Sequence, residues 1–301
     1  MQTDLPYKQA LVVANPVSGS GRGESVAREL TTALGQRGLP TDLHLTTRAG
    51  DARETVSRLP DETDLVVSVG GDGTLREVLS GLRERPAGSR AIPVGVLPMG
   101  TGNALCADLG LPRDVDRALE VLLAAKTVDV DVADVNGELS FLMTGIGPDA
   151  MVIEDVDERR KDKRMSKWAY LPAGIRSFLR YRPEPLTVEL DGEELEGTFS
   201  QVMASNLIHY GGLIRLCPER VLDDGLFEVF LFRGSSRWSL MLYTLRFFLH
   251  MIPGGSVEMR RAARIRVKST GSVPYHIDGD PVGRTPVDIH VTGNRFQLLV
   301  P

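Results

Sequence analysis

The stretch that most restricts what this chain can fold into is Gly70-Gly71-Asp72-Gly73-Thr74-Leu75-Arg76-Glu77-Val78-Leu79. It follows the apolar β-pattern Leu65-Val66-Val67-Ser68-Val69 and runs straight into helical spacing. Glycines at such a junction let the backbone turn sharply and bring N–H groups close to a bound group. The helix that follows presents the positive end of its dipole to an anion. The stretch therefore reads as a phosphate cradle. No Gly-Lys-Ser or Gly-Lys-Thr follows, which excludes the P-loop, and the Gly-x-Gly-x-x-Gly spacing of the dinucleotide fold is missing. Taken alone, the stretch is explained equally well by a tight strand-to-helix turn with an Asp cap.

Two further loops favour the cradle. Asn15-Pro16-Val17-Ser18-Gly19-Ser20-Gly21-Arg22-Gly23 follows the apolar run from Ala10 to Ala14, and Leu97-Pro98-Met99-Gly100-Thr101-Gly102-Asn103-Ala104-Leu105 follows Val94-Gly95-Val96. Ligands of open α/β sheets bind outside the carboxyl ends of strands, so three small-residue loops at three strand ends point to one site. In this order and spacing the three motifs resemble the catalytic domain of the diacylglycerol kinase and sphingosine kinase superfamily, and most of all its bacterial lipid kinases. The resemblance implies an NAD-kinase-like α/β domain with a parallel-rich sheet and flanking helices, then a C-terminal antiparallel β-sandwich.

Composition narrows the class. A chain of 301 residues is long for one core and favours two domains. A net charge of −5 argues against a nucleic-acid partner. Cys106 and Cys217 are too few for a disulfide framework and have no zinc-type spacing, which fits a reduced cytoplasmic setting. The start of the chain lacks the basic and apolar regions of a signal peptide, and no uninterrupted apolar run is long enough to span a bilayer. A lipid substrate would thus be met by transient peripheral contact at the inner face of the membrane. Oligomeric state is open, a homodimer included.

Strand and helix patterns alternate from Lys8 to about Val132, the mark of a βαβ sheet, so residues 1–132 are expected to form the nucleotide-binding domain. Val26, Leu30 and Leu34 recur at helical spacing before Gly38, and Thr41 to Thr46 reads as a strand. Asp51, ahead of Ala52-Arg53-Glu54, is placed to cap a helix. Asp116 to Ala125 reads as a helix and Val128 to Val132 as an exposed edge strand. Residues 133–301 change to strands without helices between them: 186–190, 199–205, 227–232, 265–267 and 287–291. Turns such as Asp191-Gly192 and Asp224-Gly225 separate them. The last strand, Phe296 to Val300, is a candidate to return to the first domain. Two segments interrupt this region. The basic run 158–168 is a solvated face or an anion contact, and the apolar 238–252 is core or an interfacial helix.

The resemblance also assigns chemistry. It implies ATP and Mg²⁺ as cofactors, with Asn15, Thr46, Gly70, Gly71, Asp72, Gly73, Thr74, Leu75, Arg76, Gly100, Thr101 and Asn103 lining the nucleotide. Asp72 is the expected holder of the catalytic Mg²⁺, which keeps several waters and takes few protein ligands. Asp280 in Tyr275-His276-Ile277-Asp278-Gly279-Asp280 matches the family's proton acceptor, with Asp in place of the usual Glu, and Asp278 assists the metal or tunes Asp280. The same Asp-Gly pair is also the commonest hairpin corner. Val221, Asp224 and Leu226 map onto a structural Mg²⁺ loop. Asn103-Ala104-Leu105 departs from the Asn-Asp-Phe of bacterial diacylglycerol kinases toward the sphingosine and ceramide kinase branch, so the resemblance leaves open whether the hydroxyl phosphorylated is that of diacylglycerol, a sphingoid base or a related lipid. An NAD kinase, which shares the Gly-Gly-Asp-Gly cradle, and a catalytically silent nucleotide or lipid sensor are the competing readings.

Overall fold

The computed structural model describes residues 5–100, 102–161, 184–207, 209–210, 214–215, 221–234, 255 and 257–301. It divides into two compact units, residues 1–130 with 294–301 and residues 131–293.

The first unit is a parallel sheet of β1 (Ala10–Ala14), β2 (Thr41–Leu45), β3 (Leu65–Gly70) and β4 (Val94–Pro98) in the order β2-β1-β3-β4. β1 and β3 are buried along their whole length, which suits strands covered on both faces and explains sequences that are apolar but for Ser68. α1 (Ser18–Gly21) is a single turn containing left-handed Gly19 and Ser20. α2 (Gly23–Gln36) buries Ala27, Leu30 and Leu34, one stripe at helical spacing, against Ala10, Val12 and Ala14. It ends as its sequence demands. Gly38 takes φ +89°, its N–H bonds the Gly35 carbonyl, and the Leu39 N–H reaches back to the Leu34 carbonyl. α3 (Asp51–Ser57) packs on α4 (Asp72–Arg83) so closely that a Cβ on Gly81 would lie 2.6 Å from the Arg53 carbonyl oxygen. α5 (Ala104–Asp108) is short, and α6 (Val115–Ala124) adds Val115, Ala118, Leu119 and Leu122 to the core beside α2. At the end of the chain, Leu298 pairs in parallel with Val94 and the Val300 N–H bonds the Lys126 carbonyl.

The second unit is antiparallel. Its strands are β5 (Thr127–Val135, which begins in the first unit), β6 (Glu138–Ser140), β7 (Met143–Ile146), β8 (Leu186–Leu190), β9 (Glu193–Glu194), β10 (Phe199–Ser205), β11 (His209–Tyr210), β12 (Ile214–Arg215), β13 (Phe227–Arg233), β14 (Val257–Ala262), β15 (Arg264–Ser269), β16 (Pro274–Ile277), β17 (Asp280–Arg284) and β18 (Val287–Leu299). One run is β17-β16-β7-β10, extended by β13 and β14. Another is β8-β15-β18, and Phe199 of β10 touches Leu186 of β8 where they meet. Phe199, Phe227, Val229, Ile265, Val267 and Ile289 fill the core between them. α7 (Pro148–Lys161) is the unit's one helix among the described residues.

Parallel first sheet and antiparallel second unit agree with the fold class expected from the sequence. Two details differ. The stretches 287–291 and 296–299 lie in one continuous strand, β18, rather than two. β5 is no exposed edge, for Asp131 on it is 1% exposed and accepts the Gly225 N–H at 2.6 Å. The basic run from 162 onward and the apolar stretch 238–252 lie outside the described residues. Among those described, no helix is long and apolar enough to cross a membrane.

Candidate active site

In the first unit the sheet order reverses at β1, which has β2 on one side and β3 on the other. At such a switch point the loops leaving neighbouring strands part and open a crevice at their carboxyl ends. Four loops rise there. The one after β1 is tied by the Asn15 N–H to the Val69 carbonyl (3.1 Å), and that after β2 by the Thr46 N–H to the Ala14 carbonyl (2.9 Å). The Met99 N–H bonds the Gly70 carbonyl at 2.7 Å and joins the loops after β3 and β4.

The glycines at this convergence are there for space. A Cβ on Gly100 would lie 2.6 Å from the Gly71 Cα, and one on Gly70 would lie 2.4 Å from Thr74 Oγ1. One on Gly19 would meet the Met99 side chain, and one on Gly23 would lie 2.1 Å from the Asn15 carbonyl oxygen. Asn103, at φ +50°, completes the cradle. Its side chain accepts the Gly100 N–H and donates back to the Gly100 carbonyl, while its own N–H donates to Asp72 Oδ2 at 2.8 Å. Asp72, the first residue of α4, is thereby locked to the loop after β4.

The other expected nucleotide residues fall as follows. Asn15 shapes its own loop, taking the Val17 N–H on its side-chain oxygen and the Ser18 hydroxyl on its carbonyl. Gly73 is exposed and Arg76 partly buried on α4. Leu75 corrects the expectation. Its side chain is 1% exposed in the core and its N–H makes an intrahelical bond to Gly71, so its side chain lines no nucleotide. Thr101 lies outside the described residues.

The loop bearing Thr46 is fastened by two carboxylates that sequence reasoning read differently or missed. Asp51 does not cap α3. It accepts the Thr47 N–H (2.7 Å) and hydroxyl (2.9 Å) on Oδ2, and its Oδ1 meets His44 Nε2 at 3.0 Å. The Thr47 N–H foremost, then the Thr47 hydroxyl and His44, hold the Asp51 carboxyl down to about 2 against the cost of burial. A carboxyl whose folded pKa lies below its unfolded value adds stability above the unfolded value, here 3.8, and loses it as pH falls toward 2. Asp51→Asn should therefore flatten the acid limb of a urea-unfolding series between about pH 4 and 2, by at most about 2 kcal/mol. Identical limbs in both proteins would contradict this.

Glu77 supplies the cap instead. From α4 it accepts the Gly50 N–H at 2.8 Å and the Ala52 N–H at 3.2 Å, joining the helix behind the glycine cradle to the Thr46 loop. Glu77→Ala is expected to cost about 1–2 kcal/mol in chemical denaturation, the worth of a helix cap, and an unchanged midpoint would refute the capping role.

In the second unit, β16 and β17 form a hairpin whose two-residue loop is Asp278-Gly279, at φ +53° and +89°, as a type I′ turn requires. The hairpin-corner reading of this Asp-Gly pair is thus met. The Asp278 carboxylate accepts the Ser140 hydroxyl at 2.9 Å and the Leu142 and Met143 N–H groups at 3.0 Å each, so it anchors the turn to the segment before β7. Asp280 follows the turn, exposed, on edge strand β17. Elsewhere in the unit, Asp224 Oδ1 takes the Leu226 N–H at 3.0 Å and Oδ2 lies 3.6 Å from Arg261, with Val221 44% exposed beside it. Buried Asp131 steadies this loop through the Gly225 N–H and, by its own N–H, the Leu222 carbonyl. Among the described residues no three His, Cys, Asp or Glu side chains gather as a metal cluster. Asp72 and Asp224 each stand as a single carboxylate: Asp72 takes the Asn103 N–H, and Asp224 takes the Leu226 N–H and faces Arg261.

Glycine loops at the switch point of a parallel sheet, with α4 starting at Asp72, make a place for an anionic group. Residues 9–135 match the diacylglycerol kinase catalytic domain, and residues 143–300 match the YegS C-terminal NAD kinase beta sandwich-like domain. The chain belongs to this family of lipid kinases. It is 27% identical over 297 residues to the diacylglycerol kinase of Bacillus subtilis strain 168, covering 98% of this chain and 97% of that one. To that of Staphylococcus aureus strain MRSA252 it is 28% identical over 299 residues, covering 98% and 93%. A solved structure from Bacillus anthracis strain Sterne superposes with TM-score 0.80 at 23% identity, covering 99% of both chains. A second, a diacylglycerol kinase of the same strain, gives 0.71 at 21%, covering 99% and 98%. At these identities the two structures speak for the fold.

Proposed function

We propose that the chain transfers the γ-phosphoryl group of ATP, with Mg²⁺, to a hydroxyl of diacylglycerol, a sphingoid base or a related membrane lipid. The observation that carries this reading is the close approach of Gly71 and Gly100, which closes two strand-end loops into one cradle at the switch point. The names of the full-length relatives support a lipid over NAD as the acceptor. Phosphoryl transfer needs little covalent help, so the protein's task is to position the reactants and move one proton. Main-chain N–H groups of the cradle bind and orient the phosphates. Asp72 is the residue to hold Mg²⁺, which supplies charge neutralisation on the transferring group, and the Val221, Asp224 and Leu226 loop is the structural site. Asp280 takes the proton of the lipid hydroxyl as its oxygen bonds the γ-phosphorus and the bond to ADP breaks. The lipid is reached by peripheral contact with the membrane surface.

A coupled assay for ADP tests the reading. ADP should form only when ATP, Mg²⁺ and lipid micelles are all present, and EDTA should stop it. ADP release that ignores the lipid, or no turnover with retained ATP binding, would contradict it, and the latter would favour the sensor.

A further inference from the structure

The hairpin that presents Asp280 rests on a buried pair of side chains that the phosphoryl-transfer chemistry does not use. His276 on β16 has a side chain only 1% exposed, and its Nε2 lies 3.2 Å from Oδ2 of Asp149, 9% exposed, in the first turn of α7. The other ring nitrogen, Nδ1, meets the Gly279 N–H at 3.3 Å. A main-chain N–H needs a lone pair to receive it, so this bond leaves the ring proton on Nε2, facing the carboxylate. Asp149 in turn takes the Ala150 N–H on Oδ1 at 2.8 Å, which fixes the carboxylate as well.

The neighbouring strand makes room for the pair. Gly145 of β7 stands opposite His276 in register, and a Cβ there would lie 2.1 Å from Asp149 Oδ2 and 2.4 Å from His276 Nε2. Gly145 is not at positive φ, so space rather than backbone shape calls for glycine. What the pair holds is the Gly279 amide, in the residue next to Asp280, at φ +89° where only glycine moves freely. β17 is an edge strand bonded to β16 alone, and their register shifts between Tyr275 and His276. Besides the Ile277–Asp280 pairing that closes it, the turn is tied by Asp278 to the 140–143 segment and by Gly279 to His276.

We propose that His276 and Asp149 are positioning residues for Asp280, fixing the Asp278-Gly279 turn through one imidazole tautomer. This rests on the lipid-kinase reading in which Asp280 receives the proton. Asp149→Asn, nearly the same in shape, admits the other tautomer, in which Gly279 faces a second N–H and the tie is lost.

The test is a double-mutant cycle with MgATP and dioleoylglycerol mixed micelles. Asp149→Asn should lower kcat about ten- to a hundredfold, as a misplaced catalytic group does. KM for ATP, whose cradle lies in the other unit, should stay within about twofold, because only the proton acceptor is displaced. In an Asp280→Asn background the same change should cost nothing further, because the pair acts through Asp280. The Gly279 amide should exchange with deuterium at least about tenfold faster in Asp149→Asn, a readout independent of turnover. His276→Asn, which keeps an acceptor near the place of Nδ1, should retain more activity than His276→Ala. Losses that multiply in the double variant, or a Gly279 amide that exchanges at the wild-type rate, would overturn the inference. Undiminished activity of Asp280→Asn alone is a separate outcome, which would sink the base assignment and take the positioning role with it.

Discussion

Asp280→Asn is expected to lower kcat by about two to four powers of ten, the usual worth of a positioned general base, and to leave KM for ATP nearly unchanged. Asp280 is exposed, and its main-chain pairing with Ile277 needs no carboxylate, so the variant should fold as the wild type does. The amide has the size of the carboxylate and lacks only its capacity to take a proton. Asp280→Glu restores that capacity with one more methylene and matches the residue usual in the family, so it should stay active. Steady-state kinetics on the three proteins decides the matter, and wild-type turnover in Asp280→Asn would reject Asp280 as the base.

Gly100→Ala should have the next largest effect. Its Cβ would stand 2.6 Å from the Gly71 Cα and 2.9 Å from Asn103 Oδ1, and neither the backbone nor the doubly bonded amide can give way cheaply. Overpacking of this kind costs about 1–3 kcal/mol, and if the loops part to relieve it, ATP affinity falls by about five- to 150-fold. Gly73→Ala is the comparison. Nothing lies within 4 Å of its Cβ position and its φ is not positive, so it should not lower stability. A loss of ATP affinity there would report a phosphate at the cradle rather than a packing clash. Thermal denaturation with and without MgATP separates the two effects, and equal behaviour of the two variants would remove the packing argument.

The first unit was legible because its signals are local. β1 is the apolar run Ala10 to Ala14, β3 contains the expected run Leu65 to Val69, and Gly38 ends α2 by its own backbone preference. The motifs also located the cradle, since small residues at strand ends are visible without partners. What could not be read depends on residues far apart in the chain. Glu77 caps a helix beginning 26 positions earlier, and His276 finds Asp149 across 127 positions. Neither leaves a trace in spacing. Asp131 misled because an Asp alternating along a strand ordinarily faces water, whereas here it turns inward to the Gly225 N–H. Asp51 sits where a cap would sit, yet the capping carboxylate comes from α4 and frees Asp51 to hold Thr47.

The most direct measurement is transfer of labelled phosphate from ATP, with Mg²⁺, to a panel of diacylglycerol, sphingosine, ceramide, phosphatidylglycerol and NAD, the lipids in mixed micelles. Label on a lipid is the predicted result and also names the acceptor that Ala104 leaves open. Label on NAD alone, or on none of the five, would contradict the lipid-kinase reading.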